Sequence, residues 1–231
     1  METLPGGYTL KLCEGAFPLS TDSMVLCDFV HLPKNARVLD LGSGCGTLGL
    51  ILCACNEGCT VTGMEIDSRA HEAALQNIQA NGLRGRLASI CADLKELSPE
   101  SAGRFHCCVS NPPYFSAGPQ SKLHPTARRD DLCTTDQLMA TAARALRYGG
   151  DFFLVHRPEK LAELCSSGAR HGLEAKRLRL VRHKEGAGVA LILLQLRKGG
   201  KPGLSWEEVC LHDAQGAPTD YYKRVYHVQE A

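Results

Sequence analysis

Arg37-Val38-Leu39-Asp40-Leu41-Gly42-Ser43-Gly44-Cys45-Gly46 is a short apolar run that empties into alternating glycines. Val38, Leu39 and Leu41, preceded by the breaker Pro33-Lys34-Asn35, form a run too short for a helix and bounded like a buried strand. Glycine tolerates left-handed backbone and lets a chain turn close to a ligand. Leu48 to Cys55 follows as a helix, whose N-terminus carries partial positive charge. Strand, glycine loop and helix together open a βαβ unit of the kind that binds a nucleotide-like group at its switch point.

Downstream the chain keeps alternating. Cys59 to Ile66 is a strand, Ser68 to Ala80 a helix closed by Asn81-Gly82, Arg86 to Cys91 a strand, and residues 105–110 another. Thr134 and Gln137 form a capping box that predicts a helix through Arg147, ended by Gly149-Gly150. Asp151 to His156 is the next strand, and Pro158 starts a helix to about Ala169. Leu173 to Val181 and Val189 to Leu196 are strands joined by a turn containing Gly186. With no room for a crossover they pair antiparallel. Upstream, residues 4–13 read as a short strand or hairpin arm around Pro5-Gly6-Gly7, and Ser20-Thr21-Asp22 caps a helix over roughly 22–30. The expected fold is α/β: an open seven-stranded, mostly parallel sheet with helices on both faces and an antiparallel last strand. Residues 1–35 are expected to form an N-terminal extension over the cofactor side, and residues 36–231 the main domain.

Composition narrows the class. The 231 residues hold 26 Lys and Arg against 25 acids, a net charge of +1, so any nucleic-acid surface has to be a local patch. Of the 12 cysteines none stands in a C-x-x-C pair, and most fall in predicted helices and strands. They read as small apolar residues of a reduced, cytoplasmic protein. Cys53, Cys55 and Cys59 are close in sequence, but Cys53 and Cys55 face opposite sides of a predicted helix, so no metal site is expected. His106, His156, His183 and His227 show no spacing of a metal site or triad. No apolar run approaches the ~20 residues of a membrane span, and neither a leader nor an obligate protein partner is expected.

Chemistry concentrates at the strand ends. Asp40, Glu65 and Asp93 end three successive strands and line one crevice of an open sheet. Glu65 suits two ribose hydroxyls, and Asp93 an adenine amino group. The strand over 105–110 ends in Asn111-Pro112-Pro113-Tyr114. Proline continues neither a helix nor a central strand, so the Asn111 amide and the Pro112 carbonyl protrude beside an aromatic ring. That set can hold a planar group bearing an exocyclic NH2, although a plain strand-exit turn would look the same.

These motifs together resemble the class I S-adenosylmethionine-dependent methyltransferases, whose fold is Rossmann-like. The resemblance implies that Asp40, Gly42, Ser43, Gly44 and Gly46 surround the methionine part of the cofactor. Glu65 would hold the ribose, Ile66 would pack on the adenine, Asp93 would bind its N6, and Leu94 would be a further cofactor contact. Asn111, Pro112, Pro113 and Tyr114 would present the acceptor amine to the sulfonium methyl. A nicotinamide-dependent dehydrogenase is the competing use of the glycine loop, but it needs neither Asp40 nor the tetrapeptide.

The tetrapeptide is shared by adenine-N6, guanine-N2 and protein-glutamine methyltransferases. Release-factor glutamine methyltransferases usually carry a helical domain ahead of the glycine loop, and the rRNA guanine-N2 enzymes often a duplicated domain. Over nearly its whole length this chain is more similar to the bacterial tRNA adenine-N6 methyltransferases that act beside the valine-tRNA anticodon. The similarity is carried by Phe17, Ser20 to Leu26, Ala127-Arg128, Leu132 to Leu138 and the tail around Lys198 to Pro202. It implies a tRNA substrate, cofactor contacts from Thr21 and Asp22, and substrate contacts from Lys122, Arg128 and Arg129. The chain departs from that pattern in having Pro18-Leu19 after Phe17 and Arg129-Asp130 after Arg128. Lys176 to Lys184 is densely basic and reads either as a phosphate-binding rim or as a soluble sheet edge. Tyr221, Tyr222 and Tyr226 stack on bases or pack the tail onto the domain. A noncatalytic RNA-binding protein that kept the fold is the reading from a different class.

Overall fold

The computed structural model describes residues 2–16, 18–112 and 133–227. Ten strands and six α-helices are described: β1 (Glu2–Thr3), β2 (Thr9–Leu10), α1 (Thr21–Phe29), β3 (Arg37–Leu41), α2 (Thr47–Cys55), β4 (Thr60–Glu65), α3 (Ser68–Ala80), β5 (Leu87–Cys91), β6 (Phe105–Ser110), α4 (Thr135–Ala145), β7 (Leu146–His156), α5 (Leu161–Arg170), β8 (Leu173–Lys184), β9 (Val189–Lys198), β10 (Ser205–His212) and α6 (Asp220–Val225). Eight strands form one sheet in the order β10-β8-β9-β7-β6-β3-β4-β5, and β1 pairs with β2. Only β9 runs against its neighbours, pairing antiparallel with both β7 and β8. One face packs against α1, α2, α3 and α6, the other against α4 and α5. Such two-sided burial explains why the strands read as nearly continuous apolar runs.

Local signals place most elements. The Asp67 side chain accepts the Arg69 N–H at 2.9 Å and starts α3; Gly82, at φ +65°, ends it. The Thr134–Gln137 capping box starts α4. Leu10, Met24, Val25, Leu26 and Phe29 of the N-terminal extension share one core with Val38, Leu50 and Val109. Cys53 and Cys59 are buried together, with Arg86 Nη2 3.9 Å from Cys59 Sγ, whereas Cys55 is exposed.

Two expectations are corrected. The sheet has eight strands rather than seven, and the antiparallel strand is not the last, because β10 follows it and lies parallel to β8 at the edge. The other concerns the helix read through Arg147, which stops at Ala145; Leu146 already pairs with Phe105 as the start of β7. The β6–β7 register shifts between Phe105 and Cys107, with the extra residues in β7, and a Cβ on Gly150 would stand 2.9 Å from the His106 carbonyl. Close strand approach there overrides the helical propensity of Ala-Arg-Ala-Leu-Arg.

The basic run is no sheet edge, since β8 lies between β9 and β10. Arg179, 5% exposed, reaches Asp28 Oδ2 and Glu207 Oε1, each at 2.7 Å, and Arg182 pairs with Glu208. Arg177 lies over the Phe29 ring, 4.5 Å from its centroid. These cations are taken up by acids and rings of the fold itself. The tail tyrosines pack: Tyr221 is buried, Tyr222 stacks on Tyr226 at 4.3 Å, and Tyr226 Oη lies 2.8 Å from Thr21 Oγ1.

Candidate active site

β6, β3, β4 and β5 lie side by side, so their C-terminal ends bring Asn111, Asp40, Glu65 and Asp93 to one end of the sheet. Asp40 stands between Gly63 of β4 and Val109 of β6. Past β3 the glycine loop curls over the end of β4, with the N–H groups of Gly42 and Ser43 both donating to the Met64 carbonyl at 3.0 Å. Gly42, Gly44 and Gly46 take φ of +75°, +55° and +87°. Every second residue of the loop is thus left-handed, a conformation costly to any residue with a Cβ. Gly63 is required for another reason: a Cβ there would stand 2.5 Å from Ser43 Oγ.

Neither carboxylate oxygen of Asp40 has a hydrogen-bond partner, although the residue is only 1% exposed; the Ser43 hydroxyl is buried and unpartnered as well. Burial pushes the Asp40 carboxyl up to about 8, and the neighbouring Glu65 charge adds to the shift. Glu65 is itself held, Oε2 accepting from Gly44 N and Oε1 from Asp67 N, both at 2.8 Å. Each oxygen keeps capacity for a further donor. Ile66, beside it, leaves 43% of an apolar side chain exposed. Asp93 caps the turn over Leu94–Glu96 by accepting Lys95 N–H at 2.9 Å. The Leu94 carbonyl, in turn, accepts from the Thr141 hydroxyl.

S-adenosylmethionine, the methyl donor that this fold implies, carries an ammonium and a sulfonium. Two orphaned carboxylate oxygens and an orphaned hydroxyl, buried beside a left-handed glycine loop, fit a cationic hydrogen-bond donor.

On the acceptor side, Ser110 Oγ donates to the Leu41 carbonyl at 2.8 Å, tying the end of β6 to that of β3. Asn111 Nδ2 donates to Ser23 Oγ at 3.1 Å, which brings the first turn of α1 to the tetrapeptide. Of the expected cofactor residues in that turn, Thr21 is joined to Tyr226 and Asp22 is half-buried. Pro112 is half-buried, while Phe17, Pro113, Tyr114, Lys122, Arg128 and Arg129 lie outside the described residues.

Three residues at the site escaped the sequence reading. Ser23 stood inside a helix cap and offered no motif. Asn77 lies inside α3, where asparagine is a poor helix former, and that was the available signal; Asn81, read only as part of the helix stop, is the C-cap one turn on. Asn77, 2% exposed, accepts the Lys11 N–H and donates to the carbonyls of Lys11 and Cys45, each at 2.9 Å. Asn81 likewise accepts from Thr9 N and donates to Thr9 O, both at 2.8 Å. Their amides thus mimic a strand partner for residues 9–11 and strap the N-terminal segment to the glycine loop. The Cys13 and Cys45 sulfurs meet at 3.7 Å across that seam.

Residues 19–165, which hold Ser23, the glycine loop, the strand-end acids and Asn111, match the family described as Methyltransferase small domain. The chain belongs to that family. This methyltransferase is similar over most of its length to curated relatives named tRNA1(Val) (adenine(37)-N6)-methyltransferase. The relative from Photobacterium profundum is 27% identical over 202 residues, covering 85% of this chain and 84% of its own. That from Dickeya chrysanthemi is 30% identical over 204 residues, covering 85% and 81%. Among solved structures, a predicted O-methyltransferase from Agrobacterium tumefaciens superposes with a TM-score of 0.75 at 21% identity, covering 90% of this chain and 96% of that one. The T. thermophilus 16S rRNA N2 G1207 methyltransferase, solved with AdoMet and guanosine, gives 0.57 at 24% identity, covering 80% of this chain and 45% of that one. These structural likenesses are likenesses of fold. Among the described residues no helix is long and apolar enough to cross a membrane, and no group of His, Cys, Asp and Glu could hold a metal ion.

Proposed function

We propose that this methyltransferase transfers a methyl group from S-adenosylmethionine to the N6 amine of an adenine in tRNA, beside the anticodon. The observation that carries the reading is that relatives bearing that activity in their name match more than four-fifths of both chains. The site agrees with it in chemistry. In this reading Asp40 and Ser43 hold the cationic end of the cofactor, the loop Gly42, Gly44 and Gly46 lets it approach, and Glu65 takes its ribose. Ile66, Asp93 and Leu94 receive its adenine, while Thr21 and Asp22 of the extension over residues 1–35 close over it. Residues 36–231 form the methyltransferase domain.

When bound, S-adenosylmethionine supplies a methyl group already activated by positive sulfur. The protein's task is therefore orientation more than acid–base catalysis. The Asn111 carbonyl oxygen and the Pro112 carbonyl accept the two amine protons, which draws the nitrogen lone pair out of the ring. In this reading Tyr114 stacks on the base, and Pro113 belongs to the same acceptor motif. Extracting an adenine from a stacked loop costs roughly a few kcal/mol, to which phosphate contacts from Lys122, Arg128 and Arg129 contribute. We take the enzyme to act in the cytoplasm without an obligate protein partner.

The test is labelled S-adenosylmethionine offered separately to tRNA, rRNA and release-factor pools, followed by digestion of the product to nucleosides. N6-methyladenosine from tRNA is expected, and Asn111→Ala should lower the rate about 100-fold. Label in protein or in N2-methylguanosine refutes the reading.

A further inference from the structure

The contact between Ser23 and Asn111 reaches further than packing. Ser23 is 6% exposed, and its Oγ accepts from Asn111 Nδ2 at 3.1 Å while lying 3.4 Å from Ser20 Oγ. Ser20 is the N-cap of α1 and already accepts the Ser23 N–H at 3.4 Å, so its position is set by the helix. A serine hydroxyl has one proton and two lone pairs. Directed at Ser20, that proton leaves Ser23 an acceptor toward Asn111. An asparagine amide is planar, with oxygen on one side and NH2 on the other. Fastening the NH2 to Ser23 turns the oxygen the opposite way. The reversed amide would present two donors to an acceptor amine that is itself a donor.

We propose that Ser23 is a positioning residue that fixes the Asn111 amide with its oxygen toward the acceptor amine, making the first turn of α1 part of the catalytic apparatus. The proposal rests on the function given above only for the identity of the amine. α1 comes from the extension ahead of the cofactor loop, and 88 residues separate the two partners, so the contact joins parts of the chain that no local motif connects.

Two readouts test it. The first is the side-chain amide signal of Asn111 in nitrogen-15 spectra, assigned by its loss in Asn111→Asp. Ser23→Ala should move it away from the wild-type position, and Ser23→Thr, which keeps the hydroxyl, should hold it near that position. The second is steady-state kinetics: Ser23→Ala should lower kcat about tenfold with KM for S-adenosylmethionine within about twofold, and Ser23→Thr should recover most of the rate. Should Ser23→Ala not fold, Ser20→Ala removes the acceptor of the Ser23 proton and should give a smaller shift of the same signal. An Asn111 signal indifferent to both positions overturns the proposal, as does a threonine variant as slow as the alanine one. A responsive Asn111 signal in an enzyme that methylates no adenine in tRNA upholds the orientation and refutes the function instead.

Discussion

Asp40 is a carboxyl group whose burial holds its proton to about pH 8, while in the unfolded chain it ionises near 3.8. Between those values the unfolded state binds fewer protons than the folded one, so the cofactor-free protein loses stability as pH rises from about 4 to 8. Urea melts across that range should show the decline, and Asp40→Asn should flatten it. A cationic partner favours the ionised carboxylate, so cofactor binding near pH 7 should release a proton. Calorimetry in buffers of different ionisation enthalpy measures that release, which Asp40→Asn should abolish together with most of the affinity. Gly63 allows a second test at this scale. Gly63→Ala sets a Cβ 2.5 Å from Ser43 Oγ and 2.7 Å from Ser43 Cβ; overpacking of this kind costs about 1–3 kcal/mol. Thermal melts should show the loss in Gly63→Ala and partial recovery when Ser43→Gly is added, because that change removes both colliding atoms.

At the scale of elements, α3 does two things at once. Its outer turns were legible because Asp67 and Asn81-Gly82 punctuate it locally, and its inner face was not, because Asn77 finds partners 66 and 32 residues away. Asn77→Ala leaves the Lys11 and Cys45 backbone groups without their partner and should destabilise the fold by about 1–3 kcal/mol. It should also weaken cofactor binding, since Cys45 belongs to the glycine loop. Asn81→Ala, which frees only Thr9 and a helix carbonyl, should lower stability without that loss of affinity. Hydrogen exchange at the Thr9 and Lys11 amides, paired with side chains instead of a strand, separates the two variants. The errors in the sequence reading have one physical source. The end of α4 and the existence of β10 are decided by pairing with distant strands, and propensity within the segment carries no trace of a partner. In β10 Val209 and Leu211 pack into the core that also holds α1, but Glu207 and Glu208 give the run the look of surface. Strand-end acids and Asn111 were readable because topology forces them to one end of the sheet; Ser23 was not, because its partner lies 88 residues away.

For the whole molecule, Arg179 is the knot. Buried at 5% exposure, it joins β8 to Asp28 of α1, Glu207 of β10 and the Tyr221 hydroxyl of α6. Arg179→Ala leaves Asp28 still paired with Arg224 and Glu207 half-exposed beside Arg177, so the loss in urea melts should be that of charge-assisted hydrogen bonds, about 1–3 kcal/mol. Arg179→Lys should recover little, because one ammonium cannot reproduce the forked guanidinium. The run that looked like an RNA rim is therefore largely committed to holding the sheet's edge and the tail in place. At the far side of that tail, Tyr226 holds Thr21, two residues before Ser23. The consequence is hereditary as much as mechanical. A mutation of Tyr226, at the end of α6, should be felt at Asn111 through Thr21 and Ser23, so positions 21 and 226 should drift as a pair. In an alignment of relatives, a missing hydroxyl at one should be matched by a missing hydroxyl at the other.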